Sequence, residues 1–178
     1  IPRYPLTKAT GTSRRATDEF INDTLVNAFD PFGAVQEGPV DRDARHRVNL
    51  SAVWSPGWDM TIAPIFRYRT ALPYNVILGV DANRDGANFA LPPGSETVNQ
   101  ARGADFKQLD LRVAKRIRFG GNTALELIAE AFNLTNATNP GGFVGNMRAS
   151  NFGEPTEFAG DFQRGEQRMF QLGARFEF

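Results

Sequence analysis

The stretch from Asp105 to Asn136 contains two apolar/polar alternations that meet across a glycine-rich turn, and no other feature constrains the fold as much. Leu109, Leu111, Val113, Ile117 and Phe119 hold odd positions, and Asp110, Arg112, Arg116 and Arg118 hold even ones. A period of two is the mark of a strand with unlike faces. After Gly120-Gly121-Asn122 the alternation resumes, with Leu125, Leu127, Ala129 and Ala131 odd and Glu126 and Glu130 even. Equal parity on both arms requires a turn of odd length. Three residues that tolerate positive φ therefore predict a three-residue hairpin loop with a bulge. With Phe119 opposite Thr123, Arg116 falls opposite Glu126 and Arg112 opposite Glu130, while Ile117 meets Leu125 and Val113 meets Ala129 on the other face. One face carries paired charges and the other is apolar.

Two architectures satisfy this pattern. In a soluble antiparallel sheet the apolar face packs on a second layer. In an outer-membrane barrel it meets lipid, and the charged face lines the lumen. A spanning strand needs about 9–11 residues, which Leu109 to Phe119 supplies. No window approaches the roughly 18 apolar residues of a spanning helix, so any crossing is made by strands.

The rest of the chain repeats the strand pattern. Over Arg45 to Trp54, Val48, Leu50, Ala52 and Trp54 share one face and Arg47, Asn49 and Ser51 the other. Ser55-Pro56-Gly57 is predicted to turn the chain. Met60, Ile62, Pro64, Phe66 and Tyr68 then continue the apolar face, opposite Asp59, Thr61, Arg67 and Arg69. Pro64 lacks a ladder donor and predicts a bulge or a sheet edge. Trp54 and Trp58 fall on one face at one height beside the turn, the place of an interfacial aromatic girdle or, in a soluble hairpin, of two core tryptophans. A final strand, Arg168 to Phe178, alternates Phe170, Leu172, Ala174, Phe176 and Phe178 against Gln171, Gly173, Arg175 and Glu177. Phe176 and Phe178 join the two tryptophans as expected interface aromatics.

Residues 1–9 read as the outer end of a strand weakened by Pro2 and Pro5. Residues 10–43 show no period, apart from a helical turn or two over Asp18 to Phe29. Residues 70–104 and 137–166 are rich in turn formers. Three-residue turns thus alternate with long connections, as in barrels with short inner turns and large outer loops. The fold class expected is all-β: an antiparallel transmembrane β-barrel segment of about six strands.

The wording of these strands carries a resemblance. LDLRVAKRIRF at 109–119, LELIAEAFNLTN at 125–136, QLGARFEF at the terminus and DRDARHRVNLSAVWSPGW at 41–58 resemble the last strands of TonB-dependent outer-membrane receptors. The subgroup is the one with a carboxypeptidase-regulatory-like domain ahead of the plug. The resemblance implies a bacterial outer-membrane location and a parent that imports a large or scarce solute such as a siderophore, glycan or peptide. It implies partners as well: outer-membrane lipid, the rest of the barrel and its plug, TonB through an N-terminal region upstream, and the barrel-assembly machinery through the aromatic C-terminal strand. The chain starts at Ile1 without an initiator methionine, and residues 1–178 are expected to be the C-terminal part of that barrel.

Chemistry is sparse. Fifteen phenylalanines and seventeen glycines suit strands punctuated by turns. A formal net charge of zero gives no footprint for nucleic acid. The absence of cysteine suits the envelope and the cytosol alike. Asp81, Asn83 and Asp85, followed by Gly86, match the first half of a calcium loop, although Pro92 stands at the twelfth position. A Ca²⁺ site and a plain Asx turn both stay open. His46, the single histidine, has no recognisable nucleophilic partner. Glu126 and Glu130 share a face in the manner of an acid/base pair, but the register gives each an arginine. Together with Asp110, Arg112 and Arg116 they are expected to form a lumen-facing charge ladder rather than a catalytic site, so no enzyme activity is expected. The rival readings are a complete eight-stranded outer-membrane barrel of adhesin or lipid-enzyme type, with extra strands near 20–29 and 74–80, and a soluble β-sandwich binding domain.

Overall fold

A computed structural model describes residues 10–11, 26–30, 33–158 and 167–178. The strand end expected at 1–9 and most of the Asp18 to Phe29 segment lie outside the described residues; residues 26–29 form a bend and turn. The strands in chain order are β1 (Thr10–Gly11), β2 (Gly38–Pro39), β3 (Arg47–Ser51), β4 (Trp54–Gly57), β5 (Met60–Arg69), β6 (Pro73–Tyr74), β7 (Ala101–Arg102), β8 (Phe106–Gly120), β9 (Thr123–Phe132), β10 (Pro140–Phe143), β11 (Pro155–Phe158) and β12 (Met169–Glu177). Among the described residues no helix is long and apolar enough to cross a membrane.

Six strands form one antiparallel sheet in the order β12-β9-β8-β5-β3, with β4 also on β5. The longest, β8, lies at its centre. Its register with β9 is the one the alternation dictates: Arg112 opposite Glu130, Val113 opposite Ala129, Arg116 opposite Glu126 and Ile117 opposite Leu125. The turn is tighter than expected. Gly120, not Phe119, pairs with Thr123, and the ladder slips between Arg118 and Gly120. Gly120 at φ 106 and Gly121 at φ 58 absorb that slip, in backbone conformations open mainly to glycine.

The β4–β5 connection also departs from the expected turn. Ser55, Pro56 and Gly57 belong to β4, and Trp58 and Asp59 make the turn, both at φ 53. Side chains other than glycine and asparagine are uncommon there, and β8 holds the turn in place. The Asp59 carbonyl accepts the Arg116 amide at 2.9 Å, the Asp59 carboxylate accepts Arg118 at 2.6 Å, and Lys115 Nζ donates to the Trp58 carbonyl. Pro64 causes no bulge in its own strand, since its register with β8 runs unbroken past Leu111. It donates nothing back to Ala52, whose amide bonds the Pro64 carbonyl at 3.2 Å. The ladder therefore breaks opposite Pro64, separating β3 from β4, and the bulge lies further on between Trp54 and Gly57.

Every register keeps the two faces distinct. One apolar row runs Leu172, Ala129, Val113, Ile62, Trp54, and another Phe176, Leu125, Ile117. Leu111, Val113 and Leu125 are half-buried and Leu127 is exposed, so no second layer of the described chain covers them. The two short turns and Phe178 lie at one end of the sheet, and the connections 70–105 and 133–168 leave from the other. Gly120→Ala is expected to cost about 1–3 kcal/mol, because an L side chain is placed where essentially only glycine is relaxed. Asn122→Ala, in the same turn at ordinary φ, should change little; denaturant unfolding of the two variants provides the comparison.

Candidate functional site: the polar face and the outer loop assembly

The even positions of β8 and β9 and the odd positions of β5 and β12 make one polar face. Arg112 bonds Glu130 at 3.3 Å, as the register predicts. Arg116 does not bond Glu126, the residue opposite it. It reaches across β9 to Glu177 on β12, which also holds Arg175 at 3.3 Å. Glu126 stands in the row between Arg116 and Arg175, so the charge pattern alternates along and across strands. These partners cross three strands, and a pairwise reading of one hairpin has no access to β12.

Asp110 is the anchor of the loop-side half. One carboxylate oxygen accepts Gln108 Nε2 at 2.8 Å and the Asn133 amide at 2.9 Å, and the other accepts Arg67 at 2.9 Å. Asp110 is almost wholly buried, and its lone pairs are met by three donors, which is what makes a carboxylate tolerable there. Asn133 and Asn136 take left-handed φ values of 48 and 51 and turn the chain off the top of β9. The Leu134 amide then bonds back to the Leu109 carbonyl at 2.7 Å. The segment Phe132 to Asn136 is thus the joint between wall and loop.

Above the sheet the long connections interlock. The ribbons β1–β2, β6–β7 and β10–β11 each pair within this region. Tyr74 stacks on Phe143 at 5.5 Å, and the Ile77 amide and carbonyl bond Gly145 and Met147. Arg102, with its carboxylate partner Asp43 at 3.1 Å, also bonds the carbonyls of Asp43 and Ala71. Buried Asn99 bonds Pro39 and Asp41, and Val98 bonds Val35. Much of the buried interior is therefore polar and lies in the loops: Gln36, Asp43, Asn99 and Asn139. None of this was visible in the sequence, since these partners are separated by up to 60 residues and follow no period.

The Asp81-Asn83-Asp85 segment belongs to this assembly. Asp81 accepts the amides of Asp85 and Gly86, each at 3.0 Å. Asp85 accepts Ala87 at 2.9 Å through one oxygen, and Ala28 at 2.7 Å and Asn83 at 2.8 Å through the other. The oxygens point at N–H donors, the geometry of an Asx turn, and among the described residues no group of three or more acidic, histidine or cysteine side chains is placed to hold a metal. The amide of Ala28, then that of Ala87, holds the Asp85 carboxyl below the usual carboxylate range.

The expected interface aromatics are all exposed, but they do not form one row. Trp54 stands opposite Ile62, Trp58 has left the strand for the turn, and Phe176 stands opposite Leu125. Phe178 lies beyond the last pair with its ring 6.1 Å from that of Phe176. A family model described as an outer membrane beta barrel domain matches residues 73–171. The chain belongs to this family. No match is found among curated proteins or among solved structures. The matched stretch contains β8, β9, most of the second long connection and the third, and it places this outer membrane beta barrel domain in the bacterial outer membrane.

Two measurements test the loop-side network. Asp110→Ala should cost about 2 kcal/mol, less than the roughly 3–5 of a fully buried pair because Arg67 stays partly exposed; thermal unfolding in detergent reports it. For Asp85 the folded pKa is depressed, so its hold on residues 28 and 87 is present above the ordinary carboxylate value of about 3.9 and is lost as pH falls through the folded value. Amide exchange at Ala28 and Ala87 should stay protected from neutral pH down past about pH 4, and weaken only below it. Asp85→Asn should weaken it at neutral pH.

Proposed function

We propose that this chain is the C-terminal wall of a larger outer-membrane barrel of the TonB-dependent receptor kind, whose parent imports a large or scarce solute. The observation that carries this reading is the open sheet. Among the described residues, β12 has a partner only on its β9 side and β3 only on its β5 side. Hydrocarbon offers no water to satisfy a strand edge, so both edges need further strands of the same barrel. The apolar face then meets lipid, and the polar face, with Asp110, Arg112, Arg116, Glu126 and Glu130, lines the lumen against the plug. The wall itself catalyses nothing. Partners follow the same reading: TonB reached through an upstream segment, and the assembly machinery through the aromatic end of β12.

The structure weakens both rivals. A complete eight-stranded barrel needs a spanning strand near 74–80, where the chain makes only the two-residue ribbon β6 and an isolated bridge from Ile77 to Asn146. A β-sandwich needs a second sheet over Leu111, Val113, Leu125 and Leu127, and none covers them among the described residues.

Val113→Arg and Leu127→Arg, near the middle of β8 and β9, should each cost about 2–4 kcal/mol in lipid and deplete the folded, heat-modifiable form of the full-length protein in outer membranes. Normal assembly of both variants would contradict lipid exposure. Purified full-length protein should also co-sediment in liposomes with the periplasmic domain of TonB. Failure to bind it, with the barrel folded, would remove the receptor reading and leave the barrel in place.

A further inference from the structure

We propose that the loop-side end of the polar face is an anion station, where Arg47 and Arg69 take the carboxylate or phosphate groups of a solute. The inference rests on the reading that this face lines the solute's path. Arg47 and Arg69 are directly opposite each other across the β3–β5 ladder, side chains on the same face. Directly opposed like charges destabilise a sheet. Elsewhere on this face, among the described residues, each guanidinium has a carboxylate: Arg67 with Asp110, Arg112 with Glu130, Arg116 and Arg175 with Glu177, and Arg118 with Asp59. At the level of Arg47 and Arg69 the row contains, among the described residues, Phe106 and no acid.

What holds the two guanidiniums is neutral. Arg47 donates through Nη2 to the Arg42 carbonyl at 2.9 Å, and Arg69 lies over the Phe106 ring at 5.3 Å. Both contacts fix position without cancelling charge. In the next row Asn49, Arg67 and Gln108 stand side by side; Gln108 Nε2 and Arg67 Nη2 are given to Asp110, which leaves Arg67 Nε as a buried donor with no acceptor. The acids nearest Arg47 in sequence, Asp43 and Asp41, bond Arg102 and Asn99, and Asp105, next to Phe106, accepts Tyr68 and the Ala71 amide. Two forked donors on facing strands suit a group with several oxygens, since guanidinium and carboxylate or phosphate match in bidentate geometry. Uncompensated charge at the mouth of a low-dielectric channel also concentrates anions before they bind. The chemical class is therefore a polycarboxylate or phosphorylated solute, in preference to a neutral glycan or a cationic peptide.

The test uses the full-length protein folded in detergent, with citrate and inorganic phosphate as probes in calorimetric titration. Citrate should bind saturably, with affinity falling as salt is raised. R47Q/R69Q should lose about tenfold or more, the worth of one or two charged hydrogen bonds. Arg69→Lys, which keeps the charge but not the fork, should fall between wild type and the double variant. Arg148→Gln, an equal loss of charge on an exposed loop, should bind as wild type does. Absence of saturable citrate and phosphate binding by the wild type, or equal binding by R47Q/R69Q, would overturn the proposal. Heat-modifiable migration and TonB co-sedimentation of the same preparations keep the two readings apart: if both persist while anion binding is absent, the station is refuted and the receptor reading stands.

Discussion

The antiparallel ladder through β8 is the constraint on which everything else here depends. A strand satisfies its backbone only through its neighbours, and side chains at every second residue go to opposite faces. Once Phe106 to Gly120 is fixed between β5 and β9, the faces of both neighbours follow, and through β9 so does that of β12. A slip of one residue anywhere would move arginines onto the apolar side. The two places where the ladder does slip, at Gly120 and between Trp54 and Gly57, both lie at the turns, and the break opposite Pro64 leaves the register of β5 with its neighbours unchanged.

The faces are held by different means. The apolar face has no covering layer among the described residues, and its order comes from hydrogen bonds within the sheet. The polar face is tied laterally by ion pairs that connect two or three strands, such as Arg116 to Glu177. In the reading proposed above, lipid supplies the missing layer on one side and plug and solute on the other. The loop assembly is the complement of this arrangement. Its interior is small and polar, closed by asparagine, aspartate and arginine bonds to backbone carbonyls and amides rather than by a hydrophobic core.

The two turns show how tertiary contacts override local preference. Gly120-Gly121 reverses the chain with the residues best suited to it. At the other turn the glycine one residue earlier, Gly57, is spent on the bulge, and Trp58-Asp59 reverses the chain under tension. Three bonds from β8 hold it there. A local reading of Ser55-Pro56-Gly57 as the turn misplaces the reversal because it sees the glycine and not the neighbouring strand. The same blindness explains Pro64: its lack of an N–H was legible, but not that its partner strand, rather than its own, would break.

By itself the sequence determined the two-faced strands, the register of β8 on β9, the Arg112–Glu130 pair and the alternation of short turns with long connections. These depend on parity and on glycine, both local properties. Only the tertiary structure decided that Arg116 goes to Glu177, that Asp110 binds Arg67, that Asp81 and Asp85 close an Asx turn against Ala28, and that Arg47 faces Arg69 with no acid in their row among the described residues. Each of these joins residues from different strands or loops, with no repeating interval between them to reveal the contact before the sheet has brought the chain together.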